Sequence, residues 1–393
     1  MMRRRLRYAA WALLAALPVV AAGVFFGVVP GEVDRRLNGV LMTPPFKVGE
    51  RARQLHSQLF IADMHDDLLL WPRDMLQRHT VGHTDLPRLL EGGVALQVFS
   101  TVTQSPRGQN FDHNAGDTDN ITPLTIAQRW PPRTWASLLQ RALYQSEKLH
   151  AAAEASAGRL QVVRTRGELH AFAQARRQGA ARLAALLATE GLQPLEGRIE
   201  NVDRLYDAGF RMAGLTHFVD NELGGSAHGL GKGGLTPFGK EVVRRLEQKK
   251  ILVDLAHTSP RVIDDVLAQA TRPVVVSHTG VQATCPGPRN LSDEHLRSIA
   301  EKGGLVGIGL FHGAVCGHDV TAIVRAIRHA VSVADIEHVA LGSDFDGATR
   351  TTFDATGLPV LTEALLQAGF SEADIAAIMG GNLLRLMGEQ LPD

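Results

Sequence analysis

Cysteine is almost absent from this 393-residue sequence: only Cys285 and Cys316 occur, which excludes a small fold held together by a disulfide framework. Net charge is absent as well. Lys plus Arg and Asp plus Glu number 41 each, so no global field draws the chain to nucleic acid or to an anionic membrane surface, and any charge selectivity has to be local. No internal repeat is visible beyond a strand and helix rhythm. No glycine-rich phosphate turn follows the first predicted strand, where Asp63-Met64-His65-Asp66-Asp67 stands instead, and this argues against an open doubly wound nucleotide-binding sheet. What is abundant is apolar residue, at 45%, enough at this length to bury a sizeable core and to exclude a disordered or fibrous chain.

The first 30 residues differ in kind from the rest. Arg3, Arg4, Arg5 and Arg7 precede an apolar run from Ala9 to Val29 that Pro30-Gly31-Glu32 ends. A run of ~20 apolar residues is long enough to span a bilayer as a helix, and the arginines should stay on the cytoplasmic side, so residues 1–30 are read as a basic stub and transmembrane anchor. Val20-Ala21-Ala22 also carries the small residues of a processing site, which leaves a cleaved signal peptide as the alternative. Either way the remainder is exported to the periplasmic or extracellular side. Residues 31–57 read as a connector with a short helix.

Eight apolar runs then read as strands: Leu59 to Ala62, Val94 to Phe99, Leu183 to Thr189, Met212 to Thr216, Ile251 to Leu255, Pro273 to Ser277, Leu305 to Leu310 and Val339 to Gly342. Most are continuous, as expected for parallel strands buried on both faces. Helical patterns with start signals, such as Ser292-Asp293-Glu294 and Thr236-Pro237, lie between them. Eight such units predict an α/β fold, a (β/α)8 TIM-type barrel over residues 58–388. About 80 residues separate the second and third runs, where ~30 is normal for one unit, so residues 101–182 form an insertion. Its Gln104 to Asn120 part reads as loop, and Thr134 to Ala157 and Thr165 to Gln178 read as helical. It stands over the active-site face as a lid or specificity wall, or it decorates the surface.

Several of these runs lead into a metal-binding or proton-handling residue: His65 and Asp67, Glu190, His217, His257, His278 and Asp344. Barrels of this type gather catalytic groups from the C-terminal ends of several strands. In an extended segment, residues two apart point the same way, so His65 and Asp67 are placed to hold one metal together. His83-Thr84-Asp85 has the same spacing but precedes Leu86-Pro87, and is read as structural. Glu190 ends an apolar strand, where a lone carboxylate costs several kcal/mol and calls for a cation or a dense set of hydrogen bonds. No lysine stands at a strand's C-terminal end to bridge two ions, which makes Glu190 the bridging candidate. His257 and His278 end consecutive strands; a lone histidine there reads as a core residue, but two in equivalent positions beside Glu190 are read as candidates to complete a second metal. His217 and Asp344 serve as further ligands or, with five ligands already supplied, as groups that move protons and stabilise the oxyanion. Asp346 is read as a cap for the segment after it. Arg289, in the loop after the sixth run, either grips a substrate carboxylate or lies on the surface.

In Asp63 to Asp67, Gly93 to Ser100, Glu190-Gly191, Leu215 to Asn221, Gly234 to Thr236, Asp254 to His257, Ser277-His278, Arg289-Asn290, Gly342 to Gly347 and Gly381 to Arg385, the sequence resembles the membrane dipeptidase family of zinc peptidases. The resemblance covers about residues 58 to 388. It implies two zinc ions, one on His65 and Asp67, the other on His257 and His278, with Glu190 bridging. It implies that His217 polarises the scissile carbonyl, Arg289 contacts the substrate carboxylate, Asp344 moves the proton, and Cys285 pairs with Cys316. A metal-bridging hydroxide would then hydrolyse dipeptides with no Ser or Cys nucleophile. Met64 departs from the family's usual glycine and Asp66 from its usual asparagine. The expected partners are a dipeptide and, through the N-terminal helix, a membrane, with no nucleic acid; a homodimer is compatible with the sequence. A dinuclear hydrolase of N-acyl amino acids, lactones or phosphoesters is the alternative enzyme, and a non-catalytic sensor module the alternative from another class.

Overall fold

Apolar runs with no polar face can persist as strands only where both faces are covered, and in the computed structural model, which describes residues 2–393, they are. The strands are β1 (Ile61–Asp66), β2 (Val94–Phe99), β3 (Leu160–Val162), β4 (Leu183–Thr189), β5 (Phe210–Gly214), β6 (Leu252–Asp254), β7 (Val275–Thr279), β8 (Leu305–Ile308) and β9 (Val339–Leu341). All pair in parallel in the order β2-β1-β9-β8-β7-β6-β5-β4, and a further pairing of β2 with β4, Leu96 opposite Ala184 through Phe99 opposite Leu187, closes the ring. The result is the expected eight-stranded parallel barrel. β3 stands outside the count: it pairs only with the first three residues of β4.

Every barrel strand sends residues into one shared buried cluster, including Met64, Val98, Leu186, Met212, Leu252 and Ala340, so the lumen is a packed core. A second, larger cluster lies between the strands and the surrounding helices. Ala184, Leu186 and Ala188 point into the lumen cluster, and at a two-residue period Glu190 is next in that phase.

β2 and β4 match their predicted limits, whereas β1 begins later than expected and runs through His65 to Asp66. The insertion contains α3 (Ile121–Ala127), α4 (Leu138–Ala155), β3 and α5 (Arg166–Arg177). α5 starts at a capping box in which Thr165 and Glu168 satisfy each other's backbone groups. The short α3 and β3 are not marked in the sequence, because α3 is under two turns and β3 only three residues long, and neither carries a readable period.

At the N-terminus α1 (Met2–Gly27) is followed by α2 (Val29–Leu37). The side chains of residues 1–3, 5–7, 9–10 and 12–16 lie outside the description, and with them much of the run on which the anchor reading rests. Among the described residues no single helix is long and apolar enough to cross a membrane, though Leu17–Gly27 and Val29–Leu37, bent by 40°, meet length and composition as a pair. Residues 31–57 do more than connect. Asp34 of α2 is 1% exposed and pairs with Arg73 at 2.8 Å, so α2 is docked on the barrel.

Candidate metal centre

Buried aspartates that were not singled out by sequence fix the strand ends. Asp63 accepts from the Ser343 amide at 2.7 Å, the Ser343 hydroxyl at 2.6 Å and Gln97 Nε2 at 2.8 Å, which ties β1 to the chain after β9 and to β2. Asp254 Oδ1 accepts from the amides of Ala256 at 3.0 Å and Ser277 at 2.8 Å, tying the end of β6 to β7. Asp254, like Glu190, is a carboxylate set in an apolar run, and its burial is offset by these two amides.

On that frame His65 Nε2 comes to 3.6 Å from Asp67 Oδ1. The route differs from the extended one expected. β1 ends at Asp66, whose Oδ1 accepts from the Leu68 amide at 2.8 Å, and Asp67 heads the 3-10 turn Leu68–Leu70 with φ −100° and ψ 21°. The chain turns to bring the two groups together.

Glu190 is the hub. Its Oε1 lies 3.1 Å from His257 Nε2, 3.3 Å from His278 Nε2 and 3.5 Å from His65 Nε2, and its Oε2 lies 3.3 Å from His217 Nε2. His257, held at φ 62°, presents Nε2 only 3.0 Å from His278 Nε2. Ser277 Oγ lies 2.9 Å from His278 Nδ1 and 3.3 Å from His65 Nδ1, which orients both rings from behind.

Burial pushes the pKa of Glu190 upward, but charge on His217 and contacts from His257, His278 and His65 hold it well below the usual carboxylate range. Burial also drives His257 and His278 far below the ordinary histidine value, leaving neutral imidazoles with free lone pairs. His65 goes the other way: burial opposes its protonation, yet Asp67 and Glu190 raise it. Burial raises Asp344 well above the normal range.

The residues fit a cation. Three overlapping triads, His65–Glu190–His278, Glu190–His217–His257 and His65–Asp67–Asp344, each offer ligand atoms within 4.8 Å of one another. His65 Nε2 and Asp67 Oδ1 are buried with no hydrogen-bond partner, a costly arrangement for protein alone. Neutral imidazole and carboxylate are the donor set of zinc and its neighbours in the first transition row.

Asp67, Glu190, His217, His257, Arg289 and Asp344 all open on one cavity of about 700 Å³. All eight predicted metal, catalytic and substrate residues are thus gathered at one barrel mouth, with His65 and His278 directly behind Glu190. Arg289 Nη2 donates to the His278 carbonyl at 2.8 Å, while its Nη1 is buried with no partner. Cys285 and Cys316 are joined, with their Cα atoms 5.1 Å apart, behind the loop that carries Arg289. His83 is structural, as read: Nδ1 accepts from the Asp346 amide at 2.8 Å. Asp346 is not the cap it was expected to be. Its carboxylate turns back to accept from the amides of His83 and Thr84 and to pair with Arg73 at 2.7 Å. The insertion contributes to the cavity through Ser105, Asn110 and α3, so it is a wall of the site.

Residues 49–391 match the membrane dipeptidase family, peptidase family M19. The chain is 26% identical over 357 residues to dipeptidase aclJ of Aspergillus oryzae, covering 86% of this chain and 79% of that protein. It is 28% identical over 323 residues to human dipeptidase 3, covering 78% and 63%. Among solved structures, a metallopeptidase described as dipeptidase AC is 25% identical with a TM-score of 0.72, covering 86% of this chain and all of that one. A Rhodobacter sphaeroides metallopeptidase solved with a phosphinate mimic of L-Ala-D-Ala shares the fold at a TM-score of 0.69 and 24% identity, over 85% and 99%.

Proposed function

We propose that this chain, which belongs to the membrane dipeptidase family and is a dipeptidase, hydrolyses dipeptides with two zinc ions held at the mouth of the barrel. The observation that carries this is the convergence of four imidazoles on the single carboxylate of Glu190, all within 3.5 Å. His65 and Asp67 are assigned to one ion, His257 and His278 to the other, and Glu190 to both. When bound, such ions lower the pKa of a water toward neutrality and polarise the carbonyl, so no side-chain nucleophile is needed.

The remaining steps belong to the protein's own groups. Arg289, with one free donor nitrogen, takes the substrate carboxylate and sets the position of the peptide bond. His217 Nε2 faces the same centre and donates to the carbonyl oxygen as negative charge develops there. Asp344, protonated more readily than an ordinary aspartate because it is buried, carries a proton to the leaving amine.

Export is part of the same reading, with α1 as the membrane anchor. The Cys285–Cys316 pairing supports it, since such bonds persist in oxidising compartments. The decisive experiment combines a dipeptide-library screen with metal analysis of the same sample. Two zinc ions per chain and dipeptide turnover are expected, and Glu190→Gln should lose both together. Full activity of a zinc-free sample refutes the mechanism.

A further inference from the structure

The cavity holding Glu190 and Arg289 is not closed by the barrel alone. Val29, Val33 and Leu37 of α2, with Phe25 at the end of α1, form one apolar side of it, facing Trp71 after β1 and Leu124 of α3. These N-terminal residues precede the segment, 49–391, that matches the family. The wall is fixed in place. Asp34 points from α2 into the protein, where it accepts from Arg73 Nε at 2.8 Å and Asn38 Nδ2 at 2.9 Å, and Asn38 Oδ1 accepts from the Ala348 amide at 2.9 Å. Beyond α2, the amides of Leu41 and Met42 donate to the carbonyls of Thr351 and Thr352 at 3.1 and 2.8 Å.

The ring order says which end of a substrate meets this wall. Going round β1-β2-β4-β5-β6-β7-β8-β9, Arg289 follows β7, whereas the α2 wall rests on the chain after β9, on the chain after β1 and on α3 after β2, across the barrel mouth from Arg289. Glu190 after β4, His217 after β5 and His257 after β6 lie between, on the arc from β2 to β7. A carboxylate held at Arg289 therefore sends the amino-terminal residue of a dipeptide toward α2. We infer that α2 and the end of α1 form a specificity subsite for a large apolar side chain on that amino-terminal residue. The inference rests on the dipeptidase reading with Arg289 as the carboxylate contact.

The test uses full-length, zinc-loaded enzyme and a series of dipeptides X-Ala in which X is Gly, Ala, Val, Leu or Phe. One buried methylene changes binding about fourfold, so kcat/KM should climb along the series and Leu-Ala should exceed Gly-Ala by at least about tenfold. Val33→Ser with Leu37→Ser should cut the Leu-Ala to Gly-Ala ratio about tenfold, and Val33→Ile should preserve it. The wild-type series stands even if the double variant folds poorly. Equal kcat/KM across the series, or a ratio untouched in a folded double variant, overturns the subsite while leaving the dipeptidase reading intact. Failure of every dipeptide in the series overturns both.

Discussion

Replacing Asp346 by asparagine tests the physical account of how the N-terminal segment is joined to the site. Asp346 is fully buried and accepts from the His83 amide at 2.7 Å, the Thr84 amide at 3.2 Å and the Thr84 hydroxyl at 2.8 Å, with Arg73 Nη2 at 2.7 Å. An asparagine keeps one acceptor oxygen and turns an NH2 toward donors. Burial pushes this carboxyl up, but Arg73 and His83 outweigh it and bring the pKa from an ordinary 3.8 to about 2. At ~1.4 kcal/mol per unit that difference corresponds to about 2–3 kcal/mol. Breaking a buried ion pair by removing one partner costs ~3–5 kcal/mol, so a loss of about 3 kcal/mol is expected near neutral pH. The sign of the pH dependence follows from the depressed pKa. The stabilisation is fully present above about pH 4, the unfolded value, and is lost as pH falls through about 2, so the gap between wild type and variant should stay level from pH 7 to 4 and narrow below. Urea unfolding followed by far-UV circular dichroism at several pH values reads the gap directly. A gap below about 1 kcal/mol at pH 7, or one that widens on acidification, refutes the reasoning.

Other changes probe the chemistry. Arg289→Ala should lower kcat/KM for free dipeptides by about 100-fold, mostly through KM, and should erase the preference for a dipeptide over its C-terminal amide; a retained preference moves the carboxylate contact elsewhere. Asp344→Asn should keep its zinc, measured by elemental analysis, while kcat falls by ~10²–10⁴, and zinc loss in step with activity would make Asp344 a ligand instead. Cys285→Ser removes a cross-link spanning 31 residues, for which a stability loss of about 3–4 kcal/mol is expected in chemical denaturation. An unchanged midpoint would show that packing alone holds the Arg289 loop.

Much of this centre was legible because chemistry at a barrel mouth is tied to strand ends, and strand ends are marked by where apolar runs stop. Glu190 is the clearest case: a charged residue in phase with Ala184, Leu186 and Ala188 has to meet a cation or pay heavily in desolvation. The local backbone was less legible. His65 and Asp67 were paired through an extended geometry, and the chain achieves the pairing with a turn stabilised by Asp66. Asp346 reads from the sequence as a local cap because its partners, Arg73, His83 and Thr84, lie more than 260 residues away in sequence, and no local pattern encodes such a contact. For the same reason α2 read as a connector: its inward Asp34 looks like any helix-surface acid until Arg73 is seen to face it.

Closing a ring of parallel strands has a consequence for the order in which the protein matures. The residues of the candidate centre run from residue 65 to residue 344, and His65 on β1 meets the chain after β9 only once almost all of this stretch has left the ribosome. Contacts of such long sequence separation form late, and a shortened chain ending before β9 presents at most part of a site. On the proposed reading, metal capture is coupled to completion of the barrel, and zinc added to the unfolded chain should favour the closed ring by mass action, making thermal stability depend on zinc concentration.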